Sequence, residues 1–575
     1  MLATFTVSIL AFIAIVSAEK YPRQAGWTNA TYGPDGPWRA VDVQIAYNRE
    51  RFSLYPGSSF ETWVIDDSYC KKDKATCYAS NAGTYNRING EKAGVTLPAN
   101  PSSFMYGVEM QGDEGYRYLD AISVSGVEMT NTSLVLLETQ EIKYPGGLTA
   151  PLFAGCLSLG GRKSVNQTFE PFDHKTPVNA SMPPGYMWEN GWTSSNSFGM
   201  HIGSVQPDLS GSLWWGGYDE NRIVGDVSSM TGGPRDGITL QDVGIEVMGK
   251  NSPFEFHSKP GLLSGGSSSV RSGVKVYVDG CSPYLTLPKS TCDNIAANLP
   301  VNFNEELGLY LWDTKSKKYK EIVSSTSTLA FSFISKSNTD PFTIRVPFMH
   351  LNLTLSEPLV PDPIPYFPCH VNNMNQYVLG RAFLQDAFIG ANWHPDVDTW
   401  WLAQAPGPNI PLTPRVITIG ERNATISRSE NDWKASWEGV WSDEKTPTEE
   451  DNSTATPEKS EDAEQPVMPL GAKIGIGVGA AAVTIALIAG AFFFWRRRKT
   501  QKEKPQAAQP ATMEEIYNNS FQEWPQNYPQ PPQELHVPAH KLPPYEMPDH
   551  ERRIFEMYAF PAQQKRPLTQ RYEMA

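Results

Sequence analysis

Histidine, basic patches and helical periodicity are all scarce in this chain of 575 residues. The nine histidines are scattered without metal-ligand spacing, among them His201, His257, His350 and His370. The sequence also lacks a convincing phosphate loop or Ser-His-Asp arrangement. These absences predict a protein that uses neither a metal ion nor another cofactor.

The net charge is −14 at pH 7, and no basic patch lies outside the C-terminal tail. This charge argues against a nucleic-acid partner. Much of the negative charge lies in residues 442–465, where Glu and Asp alternate with Ser, Thr and Pro. Because few apolar residues are available there to form a core, we predict a solvated Ser/Thr-rich acidic stalk over residues 416–473.

Short alternating or β-branched runs dominate the chain before the stalk, with Gly, Pro and Asn between them. The best helical pattern spans residues 288–299. Roughly 400 residues precede the stalk, which is large for one hydrophobic core and suits two lobes. The sequence therefore predicts an all-β, two-lobed domain. Its clearest strands are residues 41–45, 121–124, 134–137, 274–278 and 329–334.

Two apolar segments predict the topology of the chain. Residues 1–18 contain an apolar run, too short to cross a bilayer, that ends in small residues like a secretory signal peptide. Residues 474–495 are long enough to span a bilayer, and four cations follow at residues 496–499. Because basic residues flank a span on its cytoplasmic side, we predict a type I protein of the cell membrane or of the secretory route.

All six cysteines and seven Asn-x-Ser/Thr sequons precede the predicted span, which agrees with secretion. An eighth sequon, at Asn518, lies on the predicted cytoplasmic side and should stay unmodified. The predicted glycosylation sites are Asn29, Asn131, Asn166, Asn179, Asn352, Asn423 and Asn452.

Residues 496–575 are rich in Pro, Gln, Tyr and Glu and lack hydrophobic periodicity, which predicts a disordered cytoplasmic tail. Within it, Leu542, Pro543 and Tyr545 form a Leu-Pro-x-Tyr motif of the kind that binds WW domains. An ordinary low-complexity stretch explains the same residues equally well.

Two β-rich segments break at small-residue turns: SLYPGSS at residues 53–59 and VDGCS at residues 278–282. With the motifs that accompany them, the chain resembles the pepsin-like (A1) aspartic proteases, most closely their degenerate fungal membrane-bound relatives. The resemblance covers most of residues 37–405 and implies two β lobes, which we place at residues 19–225 and 226–415. The accompanying motifs are TWV at 62–64, GYRYLD at 115–120, SLWWGGYD at 212–219 and YVLGRAFL at 377–384.

The resemblance implies one catalytic aspartate in each lobe, and this chain departs from the pattern in the first lobe. Tyr55 stands where the first aspartate is expected, whereas Asp279 matches the second. Cys281 replaces a glycine of the second loop, and Arg381 replaces an aspartate near the end of the domain. We therefore predict that Asp279 is a relic, or at most a residual catalytic group.

Peptide hydrolysis of this type needs two carboxylates, one ionised and one protonated. The Tyr55 phenol, with an ordinary pKa of about 10, donates hydrogen bonds but is no base near neutral pH. Its bulk is also expected to intrude where the lytic water would sit. Because Asp42, Asp66 and Asp67 lie outside the turn before Ser58, we expect negligible peptidase activity.

The resemblance also implies two disulfide bonds, one in each lobe. Cys156 and Cys281 then remain, and a bond between them would tie the lobes together across the floor of the cleft. The alternative is two buried free thiols that behave as small apolar groups. The implied pairs are Cys70–Cys77 and Cys292–Cys369.

The leading functional hypothesis is a non-catalytic membrane glycoprotein that senses the surface or binds an extended peptide or glycan between its lobes. Its tail would bind a WW-domain adaptor. The alternatives are an active, membrane-tethered acid aspartic endopeptidase and a structural glycoprotein without a ligand. Four tryptophans are candidates to line the cleft, although a tryptophan is more often a core residue than a ligand contact. They are Trp63, Trp192, Trp214 and Trp215.

Overall fold

The structure is a computed structural model that describes residues 20–442 except 47, 72–76, 88–97, 101–103, 170–176, 267–269, 271, 335–340 and 373. The predicted signal peptide, the predicted span at residues 474–495, the tail and most of the stalk lie outside these residues. Among the described helices, none combines the length and apolar character that crossing a bilayer requires.

Strands make up most of the regular structure. Those of the first half of the domain are β1 (Arg23–Gln24), β2 (Val41–Ile45), β3 (Glu50–Gly57), β4 (Thr62–Ile65), β5 (Pro98–Ala99), β6 (Glu109–Gln111), β7 (Gly115–Val124), β8 (Val127–Leu137), β9 (Glu141–Lys143), β10 (Thr149–Pro151), β11 (Gly155–Ser158), β12 (Asn166–Phe169), β13 (Val178–Ser181), β14 (Ser197–His201), β15 (Ser212–Trp215) and β16 (Gly217–Asp219).

The second half continues with further strands. They are β17 (Ser228–Thr231), β18 (Ile238–Val247), β19 (Ser258–Lys259), β20 (Val274–Val278), β21 (Leu285–Thr286), β22 (Val301–Asn304), β23 (Leu309–Trp312), β24 (Ser327–Ile334), β25 (Phe342–Pro347), β26 (Leu353–Leu355), β27 (Ile364–Phe367), β28 (Cys369–His370), β29 (Tyr377–Leu379), β30 (Ala387–Asn392), β31 (Thr399–Gln404) and β32 (Val416–Thr418).

Helices in the described residues are short. The α-helices are α1 (Ser68–Lys71), α2 (Pro183–Glu189), α3 (Lys289–Ala296), α4 (Lys317–Ser324) and α5 (Arg381–Leu384). The 3-10 turns are Tyr78–Asn81, Glu220–Arg222, Pro234–Asp236 and Ala435–Trp437.

Each lobe is built on one large sheet. In the described residues the N-terminal sheet has the order β12-β13-β8-β4-β11-β3-β2-β7-β5, and the C-terminal sheet runs β25-β24-β18-β20-β29-β21-β28. In both β2 and β20 the first, third and fifth residues are buried, because successive side chains point to opposite faces of a strand. The period-2 pattern therefore fixes which face packs on the core.

A third sheet joins the two halves of the chain. Its order in the described residues is β1-β15-β14-β30-β31-β17, so three strands of the N-terminal lobe lie beside three of the C-terminal lobe, and β14 pairs with β30 where they meet. Trp215 and Trp400 are fully buried in this sheet. Trp63 is also fully buried, so these tryptophans are core residues and do not line a cleft. The prediction of a mainly β domain with two lobes is confirmed.

The segment predicted as the start of the stalk instead packs on the domain. Strand β32 pairs antiparallel with β16 in the register Gly217↔Thr418. Trp437 is fully buried, and Ser442 N–H donates to Ser324 O at 2.8 Å. Apolar residues spaced between the polar ones, such as Ile419 and Trp437, supply the buried contacts that the acidic composition obscured. The domain therefore extends beyond residue 415 to at least residue 442.

Candidate functional site

Two loops meet at the boundary between the lobes. The first follows β3, which pairs parallel with β11 so that Tyr55 lies beside Cys156. The second follows β20, which pairs parallel with β29 and delivers Asp279 at its end. Because each loop leaves the centre of its own sheet, the loops are held rigidly against each other.

The Asp279 side chain is fully buried, and hydrogen-bond donors from both loops contact it. Its Oδ1 accepts from Ser58 N–H at 3.1 Å and from Cys281 N–H at 3.2 Å. Ser58 Oγ lies 3.2 Å from the same oxygen and donates to Val278 O at 2.9 Å. Backbone and hydroxyl donors from the opposite lobe thus surround the oxygen that would face a second carboxylate.

Arg235 contacts the other oxygen of this carboxylate. Its guanidinium lies 3.4 Å from Asp279 Oδ2 and 4.1 Å from the centre of the Tyr106 ring. Ser282 Oγ donates to Tyr106 O at 2.7 Å, and Asn372 donates to Gly107 O at 2.6 Å. Residues 104–108, which we call the covering segment, therefore bind the C-terminal lobe beside Asp279.

Gly57 has no side chain, and the position that a side chain would occupy there faces Asp279. A Cβ added there would lie 2.8 Å from Asp279 Oδ1 and 2.8 Å from Cys156 Sγ, and it would overlap Cys281 Sγ. A Cβ on Gly280 would overlap Pro56 O in the same way. The place from which a second carboxylate could face Asp279 is thus filled by sulfur, and the two loops approach too closely for side chains at either glycine.

The Tyr55 side chain packs behind the first loop, against Arg381. Its ring packs 3.8 Å from the Arg381 guanidinium, and its hydroxyl is buried near Gly33. Burial raises the pKa of Tyr55 above its ordinary value, and the nearby Arg381 charge only partly opposes this. The Tyr55 side chain therefore contacts Arg381, whereas Gly57 and Ser58, two and three residues further on, lie beside Asp279.

Arg381 and Asp35 form a buried charged pair behind the two loops. The shortest N–O distance between them is 3.9 Å, and Trp38 Nε1 donates to Asp35 Oδ1 at 2.8 Å. Arg381 also donates to Cys281 O at 2.8 Å. Burial raises the pKa of Asp35, while the Arg381 charge lowers it. The arginine that replaces the expected aspartate thus supports the second loop from behind.

The structure contains three disulfide bonds. One of them, Cys156–Cys281, joins β11 of the N-terminal lobe to the Asp279 loop, with Cα atoms 5.8 Å apart. This bond explains why a cysteine is accommodated in the second loop, since its sulfur fills the space that Gly57 leaves. The other two pairs are Cys70–Cys77 and Cys292–Cys369.

Comparison with protein families agrees with this architecture. The family model described as eukaryotic aspartyl protease matches residues 40–397, more than half of the chain. The chain belongs to the eukaryotic aspartyl protease family. A search of the curated proteins found no match. The matched residues include both loops, so the family relationship covers Gly57, Asp279 and Arg381 directly.

Other predicted site residues of this aspartyl protease relative are scattered over its surface or lie outside the described residues. Among the cleft candidates, Trp214 is nearly buried, and Trp192 is 40% exposed and lies against Arg23. Asn452 and the motif at Leu542, Pro543 and Tyr545 lie outside the described residues.

Within the described segments no three His, Cys, Asp or Glu side chains are placed to hold a metal ion. The described sequons are Asn29, Asn131, Asn179 and Asn423, all exposed, and Asn166 and Asn352, both half-buried.

Sequence reasoning missed Arg235, Asp35 and Tyr106. Arg235 and Tyr106 are distant from Asp279 in sequence, and only the pairing of the sheets brings them to it. Only for Asp35 did the sequence contain an indication that a site residue was missing. An arginine in place of a family aspartate, as at Arg381, requires a counter-charge if it is buried.

Proposed function

We propose that this chain is a non-catalytic, aspartyl protease-like glycoprotein of the cell surface or the secretory route, anchored by a single span with its folded domain outside. The observation that carries the proposal is the surroundings of Asp279. A proton relay requires a second carboxylate facing the first. Here, Gly57 and the sulfur of Cys281 lie at that place.

The contacts of Asp279 support the same proposal. Oδ1 accepts from two backbone N–H groups, and Oδ2 lies against Arg235. The covering segment lies over the site through hydrogen bonds to Ser282 and Asn372. A lytic water would need the space that these groups occupy. We infer that Asp279 now holds the two loops together and has lost its role in hydrolysis.

A domain of this size and architecture retains surfaces for recognition without cleavage. We propose an extended peptide or a glycan as the external ligand, bound between the lobes outside the closed Asp279 site. A WW-domain adaptor would bind the tail through Leu542, Pro543 and Tyr545. This arrangement would couple an external ligand to a cytoplasmic partner.

The test is an assay of the purified protein on a denatured protein substrate between pH 3 and pH 7, with and without pepstatin. We expect no cleavage above that of the Asp279→Asn variant. Pepstatin-sensitive cleavage that this variant loses would instead establish the alternative, an active tethered acid endopeptidase. A peptide or glycan array that raises the melting temperature would identify the ligand, and no shift with any member would favour a purely structural glycoprotein.

A further inference from the structure

A cavity of about 340 Å³ lies on the domain away from the Asp279 site. Segments distant in sequence form it, including the C-terminal segment that packs on the domain through Val440. Its walls combine apolar groups with uncharged polar ones and one histidine. Lining residues that matter here are Pro37, Pro207, Met349, His350, Asn352 and Gln385.

His350 gives this cavity an unpaired buried hydrogen-bonding atom. The side chain is 2% exposed, and its Nδ1 lies 2.7 Å from Oδ2 of the buried Asp386. Nδ1 and the Asp386 carboxylate form one hydrogen bond, so Nε2 is the remaining polar atom of the ring. Within the described residues, Nε2 has no hydrogen-bond partner. A buried polar atom without a partner is costly, so a hydrogen-bonding group is expected beside it.

A glycosylation sequon lies at the wall of the same cavity. Its residues are Asn352-Leu353-Thr354, and Asn352 and Thr354 both line the cavity. The Asn352 side chain is half-buried, and its Oδ1 accepts from the Tyr319 hydroxyl at 3.0 Å. This bond fixes the amide, and glycosylation uses the other end of it, Nδ2. A sugar attached there would begin at the wall of the cavity.

We propose that Asn352 carries an N-linked glycan whose first sugars lie in this cavity, where a sugar hydroxyl forms a hydrogen bond with His350 Nε2. Sugar hydroxyls are neutral and both donate and accept hydrogen bonds, which suits the polar groups of the lining. Apolar groups such as Pro37, Pro207 and Met349 suit the hydrocarbon faces of the ring. The cavity is thus a binding site for a carbohydrate that the chain itself supplies. This inference depends on the secretory route in the proposed function.

The test compares the release of each glycan by peptide-N-glycosidase from the native full-length protein, followed by glycopeptide mass spectrometry. Asn423 is the matched control, because it is an exposed sequon on the same domain. We expect release from Asn352 to be at least about tenfold slower than from Asn423, and equal after denaturation. Equal rates in the native protein would overturn the proposal, as would an unmodified Asn352 beside a modified Asn423.

Two further variants sharpen the test. His350→Gln should speed native release at Asn352 severalfold and leave Asn423 unchanged, whereas an unchanged rate at Asn352 would remove His350 from the site. If this variant does not fold, Asn352→Gln replaces it and should lower the melting temperature more than Asn423→Gln does. Glycan at none of the sequons would contradict the secretory route as well, while the cleavage assay would still test the non-catalytic proposal separately.

Discussion

The Arg381 guanidinium lies 3.8 Å from the centre of the Tyr55 ring and 3.9 Å from the Asp35 carboxylate. Both Tyr55 and Arg381 stand where the family pattern implies aspartates. A buried cation above an aromatic ring and beside a carboxylate therefore replaces two acidic positions. This arrangement supports the two loops from behind through the bond from Arg381 to Cys281 O.

Replacing Arg381 with Met should be strongly destabilising. The change leaves the Asp35 carboxylate buried without its cation and removes the donor to Cys281 O, so we expect a loss of about 3–5 kcal/mol. Urea unfolding of the purified protein measures it. Adding Asp35→Asn should restore part of the loss, and Arg428→Met, at an exposed pair with Asp226, should cost less than about 1 kcal/mol. A stable Arg381→Met protein would contradict the role given to this pair.

Gly57 should tolerate no side chain. Gly57→Ala forces a Cβ onto the Cys281 sulfur, and overpacking of this kind costs typically about 1–3 kcal/mol. Gly26→Ala is the control, since the nearest atom to its added Cβ is 3.9 Å away. Gly57→Asp should be less stable still and should gain no peptidase activity. Thermal unfolding and the cleavage assay check both statements, and acid-dependent cleavage by Gly57→Asp would show that the sulfurs do not block the site.

Mild acid should weaken the fold through His370. Burial lowers the pKa of His370 to about 3, whereas an unfolded histidine titrates near 6.5. Between these values the unfolded chain binds one more proton, so the free energy of unfolding should fall by about 1.4 kcal/mol per pH unit as pH decreases.

The contribution of His370 is the difference between the natural protein and a His370→Gln variant. This comparison cancels the opposite effect of Asp35 and Asp386, whose raised pKa values favour the folded state in acid. Denaturant titrations at several pH values between 4 and 7 measure the slope. Parallel pH profiles for the two proteins would show that His370 is not buried as described.

Trp437 should anchor the C-terminal segment. Its side chain is fully buried and packs 5.1 Å from the His350 ring. Trp437→Ala should cost about 3–5 kcal/mol, because deleting a large buried ring leaves a cavity. The 40% exposed Trp192, changed to Ala, is the control and should cost much less. Similar melting temperatures for the two variants would show that this segment belongs to the stalk and does not pack on the domain.

Local pattern predicted the elements whose burial alternates cleanly. Residues 41–45 and 274–278 are strands with the predicted bounds, and the helix predicted over residues 288–299 is α3 (Lys289–Ala296). The motif YVLGRAFL divides at Gly380 into the strand β29 and the helix α5. Its apolar run is buried in both halves, and periodicity alone does not distinguish the two in so short a run.

The site was predictable only in outline. Sequence placed Asp279 at the end of a buried strand, which is where it lies. It placed Tyr55 opposite, whereas the contact from the first loop to Asp279 comes from Ser58, next to Gly57. Sheet pairing, which brings Arg235 and Tyr106 to Asp279, leaves no local mark in the sequence.

The C-terminal segment contacts both halves of the molecule, through β32 on β16 and through Ser442 on Ser324. If the chain is anchored beyond residue 442, mechanical tension from the anchor would reach the Ser442 contact and Trp437 before it reached either large sheet. This segment would then detach from the domain first, and the two loops at Asp279 would stay in place.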